Sequence, residues 1–189
     1  MTIEQDDLSH AEMAALAKRV DRPIALIGMM GVGKSTVGRK LAALLQLPFA
    51  DADDEIEEAA QLSIGEIFER FGEEYFRDGE RRVIERLVEG GPGVIATGGG
   101  AFCQEETRQL LLEKAIPVWL DADLDVLVER VGRKDTRPLL KDRDSREVLS
   151  QLREARMPFY RQAPIHITSA GGPHQATAMR ILKELDSWL

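Results

Sequence analysis

The feature that most constrains this chain is a glycine-rich segment between an apolar run and a helical pattern. Residues 28–35 read GMMGVGKS, which matches the pattern G-x-x-x-x-G-K-[ST]. The apolar run PIALIG precedes it, and a helical stripe that includes Val37, Leu41 and Leu45 follows. Glycines in this context let the backbone wrap with its N–H groups pointing inward, at the N-terminus of a helix. The segment therefore predicts a phosphate-binding loop (P-loop) in an α/β fold.

Each residue type in this loop has a physical task in holding a nucleoside triphosphate. Lys34 brings a positive charge to the β- and γ-phosphates, and the Ser35 hydroxyl suits Mg²⁺, a hard cation that prefers oxygen ligands. The residues that we expect to bind ATP are Gly31, Val32, Gly33, Lys34, Ser35 and Thr36. The loop alone leaves the reaction open between a nucleotide switch, a motor module and a small-molecule kinase.

The rest of the chain alternates between strand and helix patterns. Five short apolar runs predict strands: PIALIG, LPFAD, GVIAT, IPVWLD and IHIT. Such alternation predicts an α/β three-layer sandwich in which helices cover both faces of a five-stranded parallel sheet. Helices are predicted after the P-loop, from Ser63 with a break near Gly72, and over about residues 104–114, 123–131, 144–161 and 174–188.

Two segments differ from this pattern. In residues 1–22, Ser9 and Glu12 form a capping box, and we expect a short helical extension that is solvated or loosely docked. Residues 23–189 are long enough for a single domain with one core. Within them, about residues 132–145 are dense in charge and poor in apolar pattern, which is typical of a mobile lid.

Charge and cysteine content narrow the classes of partner. The net charge of −8 argues against nucleic-acid or membrane-surface binding, which both use a basic face. No apolar run is long enough to span a membrane, and the N-terminus lacks a signal-peptide pattern. Since Cys103 is the only cysteine, no internal disulfide can form, and we expect a cytoplasmic protein. A monomer is expected, as the default for a compact P-loop kinase.

Acidic residues follow the second predicted strand, in FADADDEIE. Asp51 and Asp53 would lie at the carboxyl edge, where open α/β sheets bind ligands. One acid there can hold Mg²⁺, and a second can accept a hydrogen bond from an acceptor hydroxyl and take its proton. The same acids, with Asp54, can instead cap the following helix. Spacing alone leaves both interpretations open.

Six separated motifs, in order, resemble those of the shikimate kinase family, which are small P-loop kinases of the nucleoside monophosphate kinase-like fold. They are GMMGVGKSTVGRKLA, FADADDEIE, SIGEIFERFGEEYFRDGE, TGGGA, DTRPLL and REARMPFY. The resemblance covers about residues 23–185. It implies transfer of the γ-phosphoryl of ATP to the 3-hydroxyl of shikimate, giving 3-phosphoshikimate and ADP on the route to chorismate and the aromatic amino acids.

For the acceptor, the resemblance implies that Arg77 and Arg156 pair with the shikimate carboxylate and that Glu80 orients Arg77. Asp53 would contact the hydroxyls and act as the candidate base. A planar guanidinium matches a carboxylate better than an ammonium does. The floor under the ring would be three residues without side chains: Gly98, Gly99 and Gly100.

For the nucleotide, the resemblance implies that Asp51 joins Ser35 around Mg²⁺, through water. Arg137, in DTRPLL, would move in with the lid and bind the ATP phosphates. The catalytic residues are therefore expected to be Asp53, Lys34 and Arg137.

Simpler interpretations remain for single residues and for the function. Taken alone, Arg77 reads as a surface ion-pair residue and GGG as a flexible turn. The three histidines have no ligand spacing and are expected to be structural or solvated. A gluconate-type sugar-acid kinase is disfavoured by the spacing of the motifs, and a non-catalytic nucleotide switch would not need the Arg77–Arg156 pair.

Two features depart from the family pattern. The loop SAGGPH lacks the basic residue that the family often has near the adenine. Gly79 interrupts a helix, which suggests close packing or local flexibility there.

Overall fold

The structure is a computed structural model that describes residues 8–133, 144–169 and 171–189. Most of the predicted lid, with Arg137, lies outside the described residues. The strands are Ile24–Ile27 (β1), Phe49–Asp51 (β2), Val94–Ala96 (β3), Ile116–Ala122 (β4) and Ile165–Ser169 (β5). The helices are His10–Arg19 (α1), Lys34–Leu45 (α2), Ala52–Ala60 (α3), Ile64–Glu89 (α4), Glu105–Lys114 (α5), Leu124–Gly132 (α6), Ser145–Tyr160 (α7) and His174–Trp188 (α8).

The five strands form one parallel sheet in the order β2-β3-β1-β4-β5. This confirms the predicted α/β sandwich. β1 lies between β3 and β4, with Ile24 opposite Val94 on one side and Ile116 on the other. Strands that follow β1 in the chain therefore lie on both sides of it, and open α/β sheets bind ligands at such a switch point. The P-loop follows β1 at this point.

The core lies on both faces of the sheet. Every residue of β1, β3 and all but one of β4 is buried, as expected for central parallel strands covered by helices. β5, at the sheet edge, alternates buried and exposed residues because one of its faces is open.

Helix α1 corrects the expectation of a solvated or loosely docked arm. It begins with the predicted capping box, in which Ser9 and Glu12 satisfy each other's backbone N–H groups. Met13, Leu16 and Val20 are buried in the main core, Leu16 to 1% exposure. Arg19 pairs with Asp186 at 2.6 Å. The apolar stripe is therefore part of the domain core, because it has a matching face on α2 and α8 to pack against.

Helix α4 is broken at Gly72, as predicted. This residue has φ 83° and ψ 175°, a conformation that only glycine adopts at little cost. A small second core of Ile56, Ile67 and Phe76 joins α4 to α3. The part of α4 after the break runs from this core back toward the sheet and carries Arg77 into the cleft.

No helix among the described residues is long and apolar enough to cross a membrane.

Candidate active site

The P-loop leads from β1 into α2 with a backbone that its glycines make possible. Gly28 has φ 137°, and a methyl group built on it would lie 2.2 Å from the Leu120 carbonyl oxygen. Gly33 has φ 100° and is the N-cap of α2, where no side chain caps the helix. The first N–H groups of α2 therefore point into the cleft, where an anion can satisfy them.

Lys34 lies over this loop. Its side chain is buried, and Nζ donates hydrogen bonds to the carbonyl oxygens of Gly28 at 2.8 Å and Met29 at 2.9 Å. These bonds hold the ammonium group against the concave face of the loop. Val32 is buried, so only its backbone is available to a ligand, whereas Thr36 is exposed.

Ser35 and Asp51 bring two oxygen ligands together beside the loop. The Ser35 hydroxyl donates to Asp51 Oδ2, while Asp51 Oδ1 accepts a hydrogen bond from the Asp53 N–H at 3.0 Å. Asp51 is thus the N-cap of α3 and a neighbour of Ser35 at the same time. The capping interpretation is confirmed, and because a carboxylate has two oxygens, Oδ2 stays available beside Ser35.

These two oxygen donors fit a magnesium ion that takes its other ligands from phosphate and water. Among the described residues there is no cluster of three or more His, Cys, Asp or Glu side chains that could hold a metal. A hydroxyl and a carboxylate next to a P-loop are the donor types that Mg²⁺ uses with nucleotides.

Across the cleft, Arg77 and Glu80 form a largely buried ion pair. Arg77 Nη1 donates to Glu80 Oε2 at 2.7 Å, and their side chains are 18% and 1% exposed. Burial raises the pKa of Glu80 above its ordinary value, the charge of Arg77 opposes this, and Asp53 adds to it. Glu80 Oε1 is buried without a hydrogen-bond partner among the described residues.

The glycine turn, Gly98–Gly100, follows β3 and meets charged side chains from two helices. A methyl group built on Gly98 would lie 2.9 Å from Glu80 Oε1 and 3.0 Å from Asp53 Oδ1. One built on Gly100 would lie 2.5 Å from Arg77 Nη2. The turn lacks side chains, so these acidic and basic groups can converge on it.

Arg156 reaches the same turn from α7. A methyl group built on Gly99 would lie 3.1 Å from Arg156 Nη1, an atom that is buried with no hydrogen-bond partner among the described residues. Two guanidinium groups, from Arg77 and Arg156, therefore approach one short turn. Such a pair can bind a planar carboxylate through charge-assisted hydrogen bonds.

The predicted residues thus form two adjoining groups. Lys34, Ser35 and Asp51 lie at the P-loop. The second group surrounds the glycine turn and consists of Asp53, Arg77 and Arg156. Arg137 lies outside the described residues.

Sequence reasoning missed two residues beside the P-loop. Arg130 Nη1 donates to the Val32 carbonyl oxygen at 3.0 Å. The His174 ring packs on Gly33, where a built methyl group would lie 2.8 Å from His174 Cε1. Burial, with the charges of Arg130 and Lys40, lowers the pKa of His174 below its ordinary value. The available signal was the position of His174 at the end of SAGGPH, the loop that leads to α8.

A third residue missed by sequence reasoning is Tyr160, whose buried hydroxyl donates to the Gly99 carbonyl oxygen. The sequence pattern that could have pointed to Tyr160 is its spacing of four residues from Arg156, which places both side chains on one face of α7.

Comparisons with known proteins agree on one family. The profile of the family described as shikimate kinase matches residues 30–186. A curated shikimate kinase of Novosphingobium aromaticivorans is 60% identical over 186 residues, which cover 96% of this chain and 96% of that protein. That match includes α1, which the profile match leaves out. A curated shikimate kinase of Zymomonas mobilis is 55% identical over 164 residues, covering 87% of this chain and 93% of the relative.

Among solved structures, the shikimate kinase from Acinetobacter baumannii in complex with shikimate superposes with a TM-score of 0.86. It is 37% identical and covers 90% of this chain and 97% of its own.

Proposed function

The chain belongs to the shikimate kinase family, and on that premise we propose that its cleft transfers the γ-phosphoryl of ATP to the 3-hydroxyl of shikimate. The products are 3-phosphoshikimate and ADP, a step of the shikimate pathway toward the aromatic amino acids. One observation carries the assignment of the acceptor site: Arg77 and Arg156 converge with Asp53 on the glycine turn next to the P-loop.

On the nucleotide side, the backbone N–H groups of the P-loop bind the phosphates and Lys34 neutralises the charge that develops during transfer. The residues of this half are Gly31, Val32, Gly33, Lys34, Ser35 and Thr36. Arg137 remains a proposal, as a second positive group at the transferred phosphoryl.

Ser35 and Asp51 are the proposed holders of Mg²⁺. When bound, the ion would offset the negative charge of the phosphate oxygens. The hydroxyl and the carboxylate already lie in contact, which supports this pairing.

On the acceptor side, the guanidinium groups of Arg77 and Arg156 bind the shikimate carboxylate and so set the orientation of the ring. Glu80 holds the Arg77 guanidinium in place through their 2.7 Å ion pair. Asp53 Oδ1 lies beside Gly98, as Glu80 Oε1 does, and is the proposed acceptor for the proton of the attacking hydroxyl. Phosphoryl transfer needs little covalent work from the protein, so most of the rate enhancement comes from this positioning.

For the whole chain we propose a single kinase domain over residues 23–189, with residues 1–22 as an N-terminal extension whose helix packs on the domain, and a lid near 132–145. We also propose a cytoplasmic monomer that binds neither nucleic acid nor membranes. The net charge of −8 supports the last point, because both of those partners are polyanionic surfaces.

The first experiment is the release of ADP from MgATP with shikimate, gluconate, quinate or no acceptor. Turnover with shikimate alone is expected, because the family is that of shikimate kinases, and the two arginines and Asp53 match a ring that carries both a carboxylate and hydroxyls. Turnover with gluconate would favour a sugar-acid kinase. Equal slow hydrolysis in all samples would show that the P-loop works without an acceptor, and would favour a nucleotide switch.

The Arg77→Ala variant separates the two halves of the site. We expect weaker shikimate binding with ATP binding unchanged, measured by calorimetry for each ligand alone. Unchanged shikimate affinity would contradict the carboxylate assignment, and loss of ATP binding alone would mean that the acceptor site lies elsewhere.

A further inference from the structure

Tyr160, the last residue of α7, is one of the largest fully buried side chains of the described residues, at 1% exposure. Its ring packs near Trp119, with 5.9 Å between the ring centroids. A phenol in such surroundings needs a polar partner for its hydroxyl. The hydroxyl donates to the Gly99 carbonyl oxygen, in the middle of the glycine turn, and Met29 Sδ lies 3.9 Å from it.

Gly99 touches both halves of the cleft. A methyl group built on it would lie 3.1 Å from Arg156 Nη1, 3.4 Å from the Met30 backbone nitrogen and 3.6 Å from the Gly28 carbonyl oxygen. That carbonyl oxygen also accepts the hydrogen bond from Lys34 Nζ. A shift of Gly99 would therefore disturb the acceptor arginine and the P-loop together.

Helix α7 connects these contacts. Tyr160 and Arg156 are four residues apart and lie on the same face of the helix. Burial raises the pKa of the Tyr160 hydroxyl far above its ordinary value. Burial therefore favours the protonated phenol, which is the form that donates to Gly99.

We propose that Tyr160 is a positioning residue for phosphoryl transfer. Its hydroxyl holds the Gly99 carbonyl, so that the glycine turn keeps its position between Arg156 and the P-loop. This proposal rests on the proposed function, because it assigns Tyr160 to the geometry of the same reaction. It goes beyond that function by naming a residue that is not among the proposed phosphate-binding and acceptor-binding residues.

The test is the Tyr160→Phe variant, which removes one oxygen and keeps the ring. We expect the KM for shikimate to rise and kcat to fall, with kcat/KM for shikimate lower by about tenfold or more, since small misplacements of reacting groups are costly. The affinity for ATP in the absence of shikimate should change less than the affinity for shikimate. The sequence supplies a matched control, because its one other tyrosine, Tyr75, is exposed and Tyr75→Phe should keep wild-type kinetics.

Stability is measured on the same variants. If Tyr160→Phe lowers the melting temperature but leaves kcat and both KM values unchanged, the hydroxyl has only a packing role and the proposal is wrong. The wild-type reaction with shikimate is run beside it. Its absence would overturn the proposed function, whereas its presence with an unaffected variant would overturn this inference alone.

A second measurement does not depend on the variant's folding. In the Tyr75→Phe background, incorporated 3-fluorotyrosine labels Tyr160 alone and gives one ¹⁹F resonance. We expect that resonance to shift when shikimate is added and also when a non-hydrolysable ATP analogue is added, because Gly99 contacts both halves of the cleft. A resonance that neither ligand moves would contradict the proposal.

Discussion

Each glycine of the turn Gly98–Gly100 leaves room for a charged side chain from a neighbouring helix. Gly100 has an ordinary backbone conformation, φ −93° and ψ −7°, so alanine is not excluded by the backbone. The obstacle is Arg77, whose Nη2 would lie 2.5 Å from the added methyl group and would have to move. The three glycines thus serve the charged residues of the protein as well as the expected substrate ring.

We therefore predict that Gly100→Ala displaces Arg77 and raises the KM for shikimate by about tenfold or more, with the KM for ATP little changed. Steady-state kinetics with each substrate varied in turn measures this.

The control is Gly79→Ala in α4, where an added methyl group meets no atom within 4 Å. Close packing therefore does not explain Gly79. Its replacement should stabilise the protein by about 1 kcal/mol and leave kinetics unchanged. An unaffected shikimate KM in Gly100→Ala would show that Arg77 does not set the affinity.

Glu80 gives a prediction about pH. Its pKa is raised in the folded protein, so the folded state binds this proton more tightly than the unfolded state does. As the pH rises above the ordinary carboxylate range, wild type loses stability that Glu80→Gln keeps. We expect the difference in free energy of unfolding, wild type minus variant, to be smaller at about pH 8 than at about pH 5. Denaturant titrations at both pH values measure it.

The matched control is Glu66→Gln, at the start of the same helix. Hydrogen bonds from Ser63 lower the pKa of Glu66, so its contribution to stability is present above the ordinary pKa and is lost as pH falls through the lowered one. For Glu66→Gln, the difference in free energy of unfolding between wild type and variant should be nearly the same at the two pH values. A constant difference for Glu80→Gln as well would show that burial does not raise the pKa of Glu80.

At the scale of elements, α1 shows how packing overrides an expectation based on its position in the chain. Its stripe of three apolar residues is short, and a short helix is marginal in water by itself. It is ordered here because Leu16 and its neighbours bury their side chains against α2 and α8, and because Arg19 pairs with Asp186.

We predict that Leu16→Ala destabilises the whole domain by about 2–5 kcal/mol, as for other large-to-small core changes. The KM values should stay the same, because α1 contributes no residue to the cleft. The exposed Lys18→Ala on the same helix is the control and should change the stability little. Chemical denaturation decides the point. Equal stability of Leu16→Ala and wild type would mean that α1 is a loosely docked arm after all.

At the scale of the whole molecule, a chain with net charge −8 is proposed to bind two anionic substrates. The apparent conflict is resolved locally. Lys34 lies at the P-loop, and Arg77 and Arg156 face the glycine turn, so each half of the cleft has positive groups of its own beside the acids Asp51, Asp53 and Glu80. Most of the other arginines of the described residues pair with acids on the surface, such as Arg82 with Asp78 and Arg86 with Glu55.

The surface also predicts the oligomeric state. The large apolar side chains that are exposed among the described residues are few: Phe71, Tyr75, Leu112 and Trp188. Phe71 and Tyr75 contact each other, and the Arg22 guanidinium lies over the Trp188 ring, with Cζ 5.7 Å from the ring centroid. Stable dimers usually need a larger apolar patch. We expect light scattering to give a single species of 21.1 kDa. A species of twice that mass at micromolar concentration would contradict this prediction.

Much of the architecture was predictable because it depends on short stretches of chain. The P-loop pattern, the five apolar runs, the capping box of α1 and the break at Gly72 all act through neighbours within a few residues. The expectation failed for α1, where the outcome depended on a partner surface more than 150 residues away, at Asp186.

The sequence by itself determined the class of fold and the presence of a phosphate cradle, since glycine conformation, helix capping and hydrophobic period are local properties. The family resemblance named the charged residues of the acceptor site, but only the tertiary structure explains why they meet. Asp53, Arg77 and Arg156 come together because the strand order β2-β3-β1-β4-β5 places the glycine turn after β3 beside the P-loop after β1. The same packing brought Tyr160 to Gly99 and His174 to Gly33. Contacts between residues so far apart in sequence depend on how the helices pack against the sheet, and no local sequence pattern predicts them.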